Sequence, residues 1–284
     1  MKLSQTRIAI ALAVLVITTS GCGLINRIRA KNELNEAARI YREGHFEEAE
    51  QRSRRALELD PDNKTALSFI ARTIHAQYRP GVQTPENIAK AREAIEAYQR
   101  ILEKDPKNEE AYKAIAYLYG AIKEDDKLRS WIAARANDPN VPPEKRAEAF
   151  VVLASKDWDC SFKMTELPSN KVTTIAEGNR ATVSYKKPTE QKDFDTAQAC
   201  VKRGLEEIEK AIQLDPNSES AWSYKTNLLL EAVKLAEMNG EMDKKKELDK
   251  QREVAQKRTS VLSEANQKKK EEEEAKKAAS PAKS

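Results

Sequence analysis

The chain has 284 residues, 39% apolar and 34% charged, which supplies a core under a heavily solvated exterior and excludes a wholly disordered chain. Eight glycines and 6% aromatic residues leave little material for turn-rich sandwiches or phosphate-cradling loops and favour an all-α fold. Fifty basic and 46 acidic residues nearly cancel to a net charge of +4, so no basic face built for nucleic acid is expected.

At the N-terminus, Lys2 and Arg7 precede an unbroken apolar run from Ile8 to Ile17. The run is too short to cross a bilayer as a helix and suits the core of a signal peptide over residues 1–21. Thr18-Thr19-Ser20-Gly21-Cys22-Gly23 follows. This resembles the lipobox of bacterial lipoproteins, in which small residues precede a cysteine that becomes the acylated N-terminus; Thr19 stands where that pattern usually has an aliphatic residue. The resemblance implies lipidation at Cys22, a tether over residues 22–30, and a membrane-anchored body facing the periplasm. Gly23 is not the Asp that retains enterobacterial lipoproteins at the inner membrane, so the outer membrane is the expected address. An uncleaved inner-membrane anchor and ordinary secretion with a free Cys22 are the alternatives, and both also place the body outside the cytoplasm.

Three cysteines are present; assigning Cys22 to lipid leaves Cys160 and Cys200 as an even pair in a compartment where disulfides persist. A bridge would close a loop of about forty residues and stabilise the fold by roughly 3 to 4 kcal/mol. Two separately buried thiols are the alternative.

From residue 31 onward the sequence repeats. Ala56-Leu57-Glu58-Leu59-Asp60-Pro61, Ile101-Leu102-Glu103-Lys104-Asp105-Pro106, Asn137-Asp138-Pro139 and Ala211-Ile212-Gln213-Leu214-Asp215-Pro216 end alike, each followed by Asn at the first or second position and then a new apolar-periodic run. Proline lacks the N–H and disfavours helical geometry in the residue before it, so Asp-Pro stops one unit and turns toward the next. The pattern resembles the tetratricopeptide repeat, a pair of antiparallel helices of about 34 residues. The resemblance implies an all-α, tetratricopeptide-like helical-hairpin solenoid over residues 31–266. In the first unit Ala37, Gly44, Phe46, Ala49 and Ala56 fit the pattern, while Glu33 and Glu36 replace its large first-helix residues, so that end is expected to fray or to act as a cap.

Proline spacing locates the insertions. Pro61 to Pro106 spans 45 residues, an excess of 11 that falls near Tyr78-Arg79-Pro80-Gly81-Val82-Gln83-Thr84-Pro85 and predicts a loop between two helices. Pro106 to Pro139 spans 33, nearly one period, and Pro139 to Pro216 spans 77, so a fourth unit is split by an insertion. Phe150, Leu153 and Ala154 mark its first helix and Ile208 and Ala211 its second, with Gly204 where Ala is usual. Between them, 171–176 and 181–185 are β-branched runs flanking Glu177-Gly178-Asn179-Arg180, which reads as a β-hairpin within an insertion at about 160–190. A fifth unit starts at Ser218 with Trp222 and Leu229, turns at Asn239-Gly240 and runs into a long charged helix; residues 267–284 read as a charged tail, either solvated helix or disordered, with disorder the expectation.

Candidate chemistry is sparse. His45 and His75 lie in different repeats without clustered cysteines, so no metal site is expected, and no nucleophile elbow, phosphate-binding loop or C-x-x-C is present. The reading is of a non-enzyme without cofactor or small-molecule substrate. First helices of such repeats line a groove for a peptide or partner helix. Counting positions along them puts Tyr41, Arg72, His75, Lys113, Tyr117 and Asn227 in or near it, an aromatic and cationic mix suited to cation–π contacts and acidic peptide segments. Leu34, Ala38, Ser68 and Arg72 occupy the early positions where some relatives carry a Lys-Asn-Asn-Lys-Arg carboxylate clamp, so chaperone-tail recognition is disfavoured. The resemblance implies a membrane-tethered scaffold that binds a protein or peptide partner, similar to repeat lipoproteins serving outer-membrane protein insertion or pilus-secretin assembly. The alternative is a structural envelope protein bridging membrane and peptidoglycan through its C-terminal helix and tail.

Overall fold

The computed structural model describes the backbone of residues 3–176 and 180–279, and the side chains of 23–175 and 183–276. The side chain of Cys22, those of the signal-peptide segment, the hairpin turn at 177–179 and residues 280–284 lie outside the described residues. Ten α-helices and one β-hairpin follow in order: α1 Leu3–Arg42, α2 Phe46–Leu59, α3 Lys64–Gln77, α4 Pro85–Lys104, α5 Glu109–Ala121, α6 Asp125–Asn137, α7 Pro143–Thr165, β1 Lys171–Ala176, β2 Arg180–Tyr185, α8 Gln191–Leu214, α9 Glu219–Met238 and α10 Met242–Ala279. Successive helices pair as α1/α2 and α3/α4 in the first unit and as α7/α8 and α9/α10 in the second, four of the hairpins that the proline spacing predicts. The chain divides into two compact units, Met1–Leu128 and Arg129–Ser284, with the division inside α6.

The boundaries follow from one recurring turn. Asp60, Asp105 and Asp215 close their helices by donating N–H to the carbonyls of Ala56, Ile101 and Ala211, at 3.0, 2.8 and 2.9 Å. Pro follows each, and the second residue after it caps the next helix: Asn63, Asn108 and Ser218 accept from the N–H of Ala66, Ala111 and Ala221 at 3.0, 3.0 and 3.3 Å. The cap is therefore at the second position; Asn217, at the first, instead donates its N–H to Asp215 at 3.0 Å. Gly44, between α1 and α2, has φ +86°, and Gly240, between α9 and α10, has φ +73°, a region that favours glycine.

In the first unit the seams are small residues against aliphatics: Ala30, Leu34, Ala56 and Ala66 form one cluster, with Phe69 packed against it. Glu33 is held in an ion pair from Arg52 on α2 at 3.1 Å, so this end of the first hairpin is helical and tied down. Residues 23–30, expected as a tether, continue α1 without a break, and Ala30 is already fully buried. The excess of the second hairpin is shared between a loop, 78–84, and a second helix of 20 residues. That loop is held by Asn87, whose amide accepts from the Arg79 N–H and donates to the carbonyls of Arg79 and Val82 at 2.7 to 2.8 Å.

In the second unit α7, α8 and α9 meet at Gly204. A Cβ there would lie 2.6 Å from Leu228 Cδ2 and 3.2 Å from Asp157 Cβ, which is why glycine stands where the repeat usually has Ala. Cys160 on α7 is bonded to Cys200 on α8, 40 residues on, so the hairpin insertion is tied off at its base. β1 and β2 pair antiparallel from Lys171↔Tyr185 to Ala176↔Arg180. Residues 267–279, expected as disordered, extend α10. Lys268-Lys269-Lys270 precede Glu271-Glu272-Glu273-Glu274, a spacing that sets opposite charges four apart on a helix.

Candidate peptide-binding groove

Five of the six groove residues foreseen from repeat positions line one open cavity of about 730 Å³ in the first unit: Tyr41 from α1, Arg72 and His75 from α3, Lys113 and Tyr117 from α5. First helices of three successive hairpins supply them. Positions four apart on one helix share a face, so Arg72 and Ala76, and Lys113 and Tyr117, each present a small patch to the same space. The alanines Ala76 and Ala114 leave the room that larger residues would fill. Asn227 is not among the lining residues; it sits half-buried on α9, in the second unit.

The floor is aromatic. His75 lies 5.8 Å from the buried Tyr98 ring, edge-on, and 5.7 Å from Tyr117. Its Nδ1 is hydrogen-bonded to the Tyr98 hydroxyl at 3.2 Å. Burial holds the His75 imidazole below its ordinary range and so neutral at pH 7. Burial, with a smaller push from Glu110, raises the Tyr98 hydroxyl to about 12. Both therefore remain uncharged hydrogen-bonding and stacking groups across physiological pH. Tyr41 packs on Phe46 at 5.1 Å and edge-on to Phe69 at 6.1 Å. Tyr117, one of the lining residues, is 51% exposed, a large aromatic offered to solvent.

The rim is charged with both signs. Arg72 stands 6.0 Å over the Phe69 ring and 3.9 Å from Glu110, an exposed and loose pairing that an incoming carboxylate can replace. Lys113 is exposed and, among the described residues, has no acidic partner. Glu109 and Glu110 also line the space. Position counting did not single them out, nor Tyr98, which comes from a second helix. The signal for the two glutamates was present: they follow the Asn108 cap in the first helical turn, where carboxylates are favoured. The cavity is thus not uniformly cationic. Among the described residues no three His, Cys, Asp or Glu side chains gather as a metal site would need.

A second feature, in the other unit, was not visible in the sequence. Glu231 of α9 is fully buried, accepts from Ser161 and Thr165 at 3.1 and 2.6 Å, and is ion-paired with Lys234 at 2.6 Å. Lys234 also reaches Glu166 at 2.6 Å, and Glu166 accepts from Tyr185 at 3.2 Å and pairs with Lys171. Tyr185 donates its N–H to Glu237 at 3.0 Å and packs on Phe194, Ala197, Val201, Leu235 and Met238. This network docks the β-hairpin on α7 and α9, and every member has a partner.

The helical hairpins, with small-residue seams and Asp-Pro closures at Asp60, Asp105 and Asp215, have a tetratricopeptide-like architecture. Residues 201–232, the end of α8 and start of α9, match the protein prenyltransferase alpha subunit repeat. No protein of curated function matches the chain. Among solved structures it is similar to residues 41 to the end of MamA from Desulfovibrio magneticus RS-1, with 16% identity, 84% of this chain and 96% of that one covered, and a TM-score of 0.36. It is also similar to YrrB, described as a TPR protein with an unusual peptide-binding site, at 15% identity, 68% and 90% coverage and a TM-score of 0.32. Pseudomonas aeruginosa PilF stands at 15% identity, 80% and 91% coverage and a TM-score of 0.34. Likenesses this shallow transfer no function; the repeat assignment rests on the hairpins themselves.

Proposed function

We propose that this protein is a non-catalytic scaffold that binds an extended segment or helix of a protein partner in the cavity of its first unit. One observation carries the reading: side chains from three separate first helices converge on an open, aromatic-floored space with a loosely paired Arg72 and an unpaired Lys113. The preferred occupant has an apolar or aromatic anchor to lie against Tyr117 and His75, and a carboxylate to compete with Glu110 for Arg72. Neutral His75 and protonated Tyr98 offer a partner uncharged stacking and hydrogen-bonding groups.

The same proposal places the protein in a bacterial envelope, tethered by acyl chains on Cys22 and facing the periplasm, in the outer membrane; support comes from the lipobox-like 18–23 segment. In-cell crosslinking followed by purification of the membrane-extracted protein tests both parts. A defined partner lost in a Lys113→Ala, Tyr117→Ala variant supports the groove. A partner retained by that variant but lost on deleting residues 268–284 overturns it and favours the wall-bridging alternative. Release of a Cys22→Ser chain from membranes supports the tether; unchanged membrane association overturns it.

A further inference from the structure

The first described turns of α1 carry a surface that the fold leaves open. Leu24, Ile25 and Ile28 are 64%, 50% and 55% exposed. At about 100° per residue they fall within roughly 100° of arc. Ala30, Leu34 and Ala37, which are buried, form the seam on the opposite side of the helix. Arg27 and Lys31 border the apolar arc on one flank and Arg29 on the other; all three are exposed and, among the described residues, none has an acidic partner. Glu33 is the first carboxylate in the sequence, so residues 1–32 hold Lys2, Arg7, Arg27, Arg29 and Lys31 with nothing to offset them. A short way along the same helix the pattern reverses: Arg39 is paired with Glu36 and Glu43 at 2.5 and 2.6 Å.

We propose that residues 24–31 form a second, non-covalent membrane contact, in which Leu24, Ile25 and Ile28 enter the headgroup–acyl boundary of an anionic bilayer while Arg27, Arg29 and Lys31 sit on its phosphates. The proposal rests on the tether reading, since Cys22 would place acyl chains two residues from Leu24. Charge selects the occupant: a second copy of this face would bring six unpaired cations together, whereas anionic headgroups complement them. Because α1 is unbroken to Arg42, the contact would hold Tyr41 about 20 Å along the helix from Ile28, at 1.5 Å per residue. The groove is thereby held at a set distance along α1 from the contact.

The test uses the full membrane-extracted chain reconstituted into phosphatidylcholine vesicles with or without phosphatidylglycerol, both containing acyl-brominated lipid. An Ile28→Trp variant reports contact by quenching of its added indole. Quenching at least about twofold stronger with phosphatidylglycerol is expected, and an Arg27→Gln, Arg29→Gln, Lys31→Gln background should abolish the difference. Equal quenching in both vesicles, or a difference that survives the triple substitution, overturns the proposal; so does an unquenched indole with a protein crosslinked at position 28. Flotation of Cys22→Ser against wild type on phosphatidylcholine alone reads the tether separately. All substituted side chains of 24–31 are exposed, so the fold is not at stake.

Discussion

Tyr117 and Lys113 sit one helical turn apart on α5 and present an exposed ring and an unpaired ammonium to the same cavity. Removing a central aromatic from a binding surface commonly costs 2 kcal/mol or more, so Tyr117→Ala should weaken partner affinity by about thirtyfold while leaving the denaturant midpoint unchanged. Titration calorimetry against the captured partner's binding segment checks this. Gly204 gives the opposite kind of residue. A methyl group there overlaps Leu228, so Gly204→Ala should destabilise the second unit by about 1 to 3 kcal/mol without touching binding in the first, as read by urea unfolding. The caps were legible as Asp-Pro followed by Asn, but which residue caps was not. The side chain that reaches the third N–H is always at the second position, whether Asn63, Asn108 or Ser218. Geometry, not residue type, excludes Asn217.

At the scale of elements, the hairpin insertion is held by a bond and a network. The Cys160–Cys200 bridge closes a 40-residue loop, and replacing both cysteines by Ser should cost roughly 3 to 4 kcal/mol, seen as a lower unfolding midpoint under non-reducing conditions. Glu231→Ala should cost about 3 to 5 kcal/mol, because it strands Lys234 in a buried site and leaves Ser161 and Thr165 without their acceptor. The network also gives stability a pH dependence. Burial tends to raise the Glu166 carboxyl, but Lys171 and Lys234 outweigh it and hold the group at about 2, against an ordinary 4.5. A depressed carboxylate contributes stability above its unfolded value and loses it as pH falls toward the folded one. Glu166→Gln should therefore flatten the fall in unfolding midpoint between pH 4.5 and about 2. Glu207, raised by burial and by Asp157, has the opposite sign and opposes stability as pH rises above the carboxylate range. The strands were legible from β-branched alternation and the bridge from cysteine parity. Glu231 was not, because a Glu among solvated helix faces carries no mark of burial in the sequence.

For the whole molecule, stability is local to hairpins and their neighbours, as in repeat proteins generally. Among the described residues, Leu262 is the last buried apolar residue of α10. Deleting residues 268–284 should accordingly leave the thermal midpoint within about 1 °C of the full chain by scanning calorimetry. A large drop would show that the charged end packs on something. The division inside α6 makes each unit's chemistry separable: the groove belongs to the first, the bridge and the buried network to the second.

The Asp-Pro turns, the hairpins they separate, the split fourth unit and most cavity residues were determined by the sequence alone, since they depend on periodic spacing and on the backbone limits of proline. Tertiary structure alone decided three things. It brought Tyr98, from a second helix, into the cavity, buried Glu231 and Lys234 under the β-hairpin, and left the Leu24, Ile25 and Ile28 face without cover. Each depends on which neighbour is packed against a side chain across a gap of many residues, and periodic spacing within one helix does not encode that.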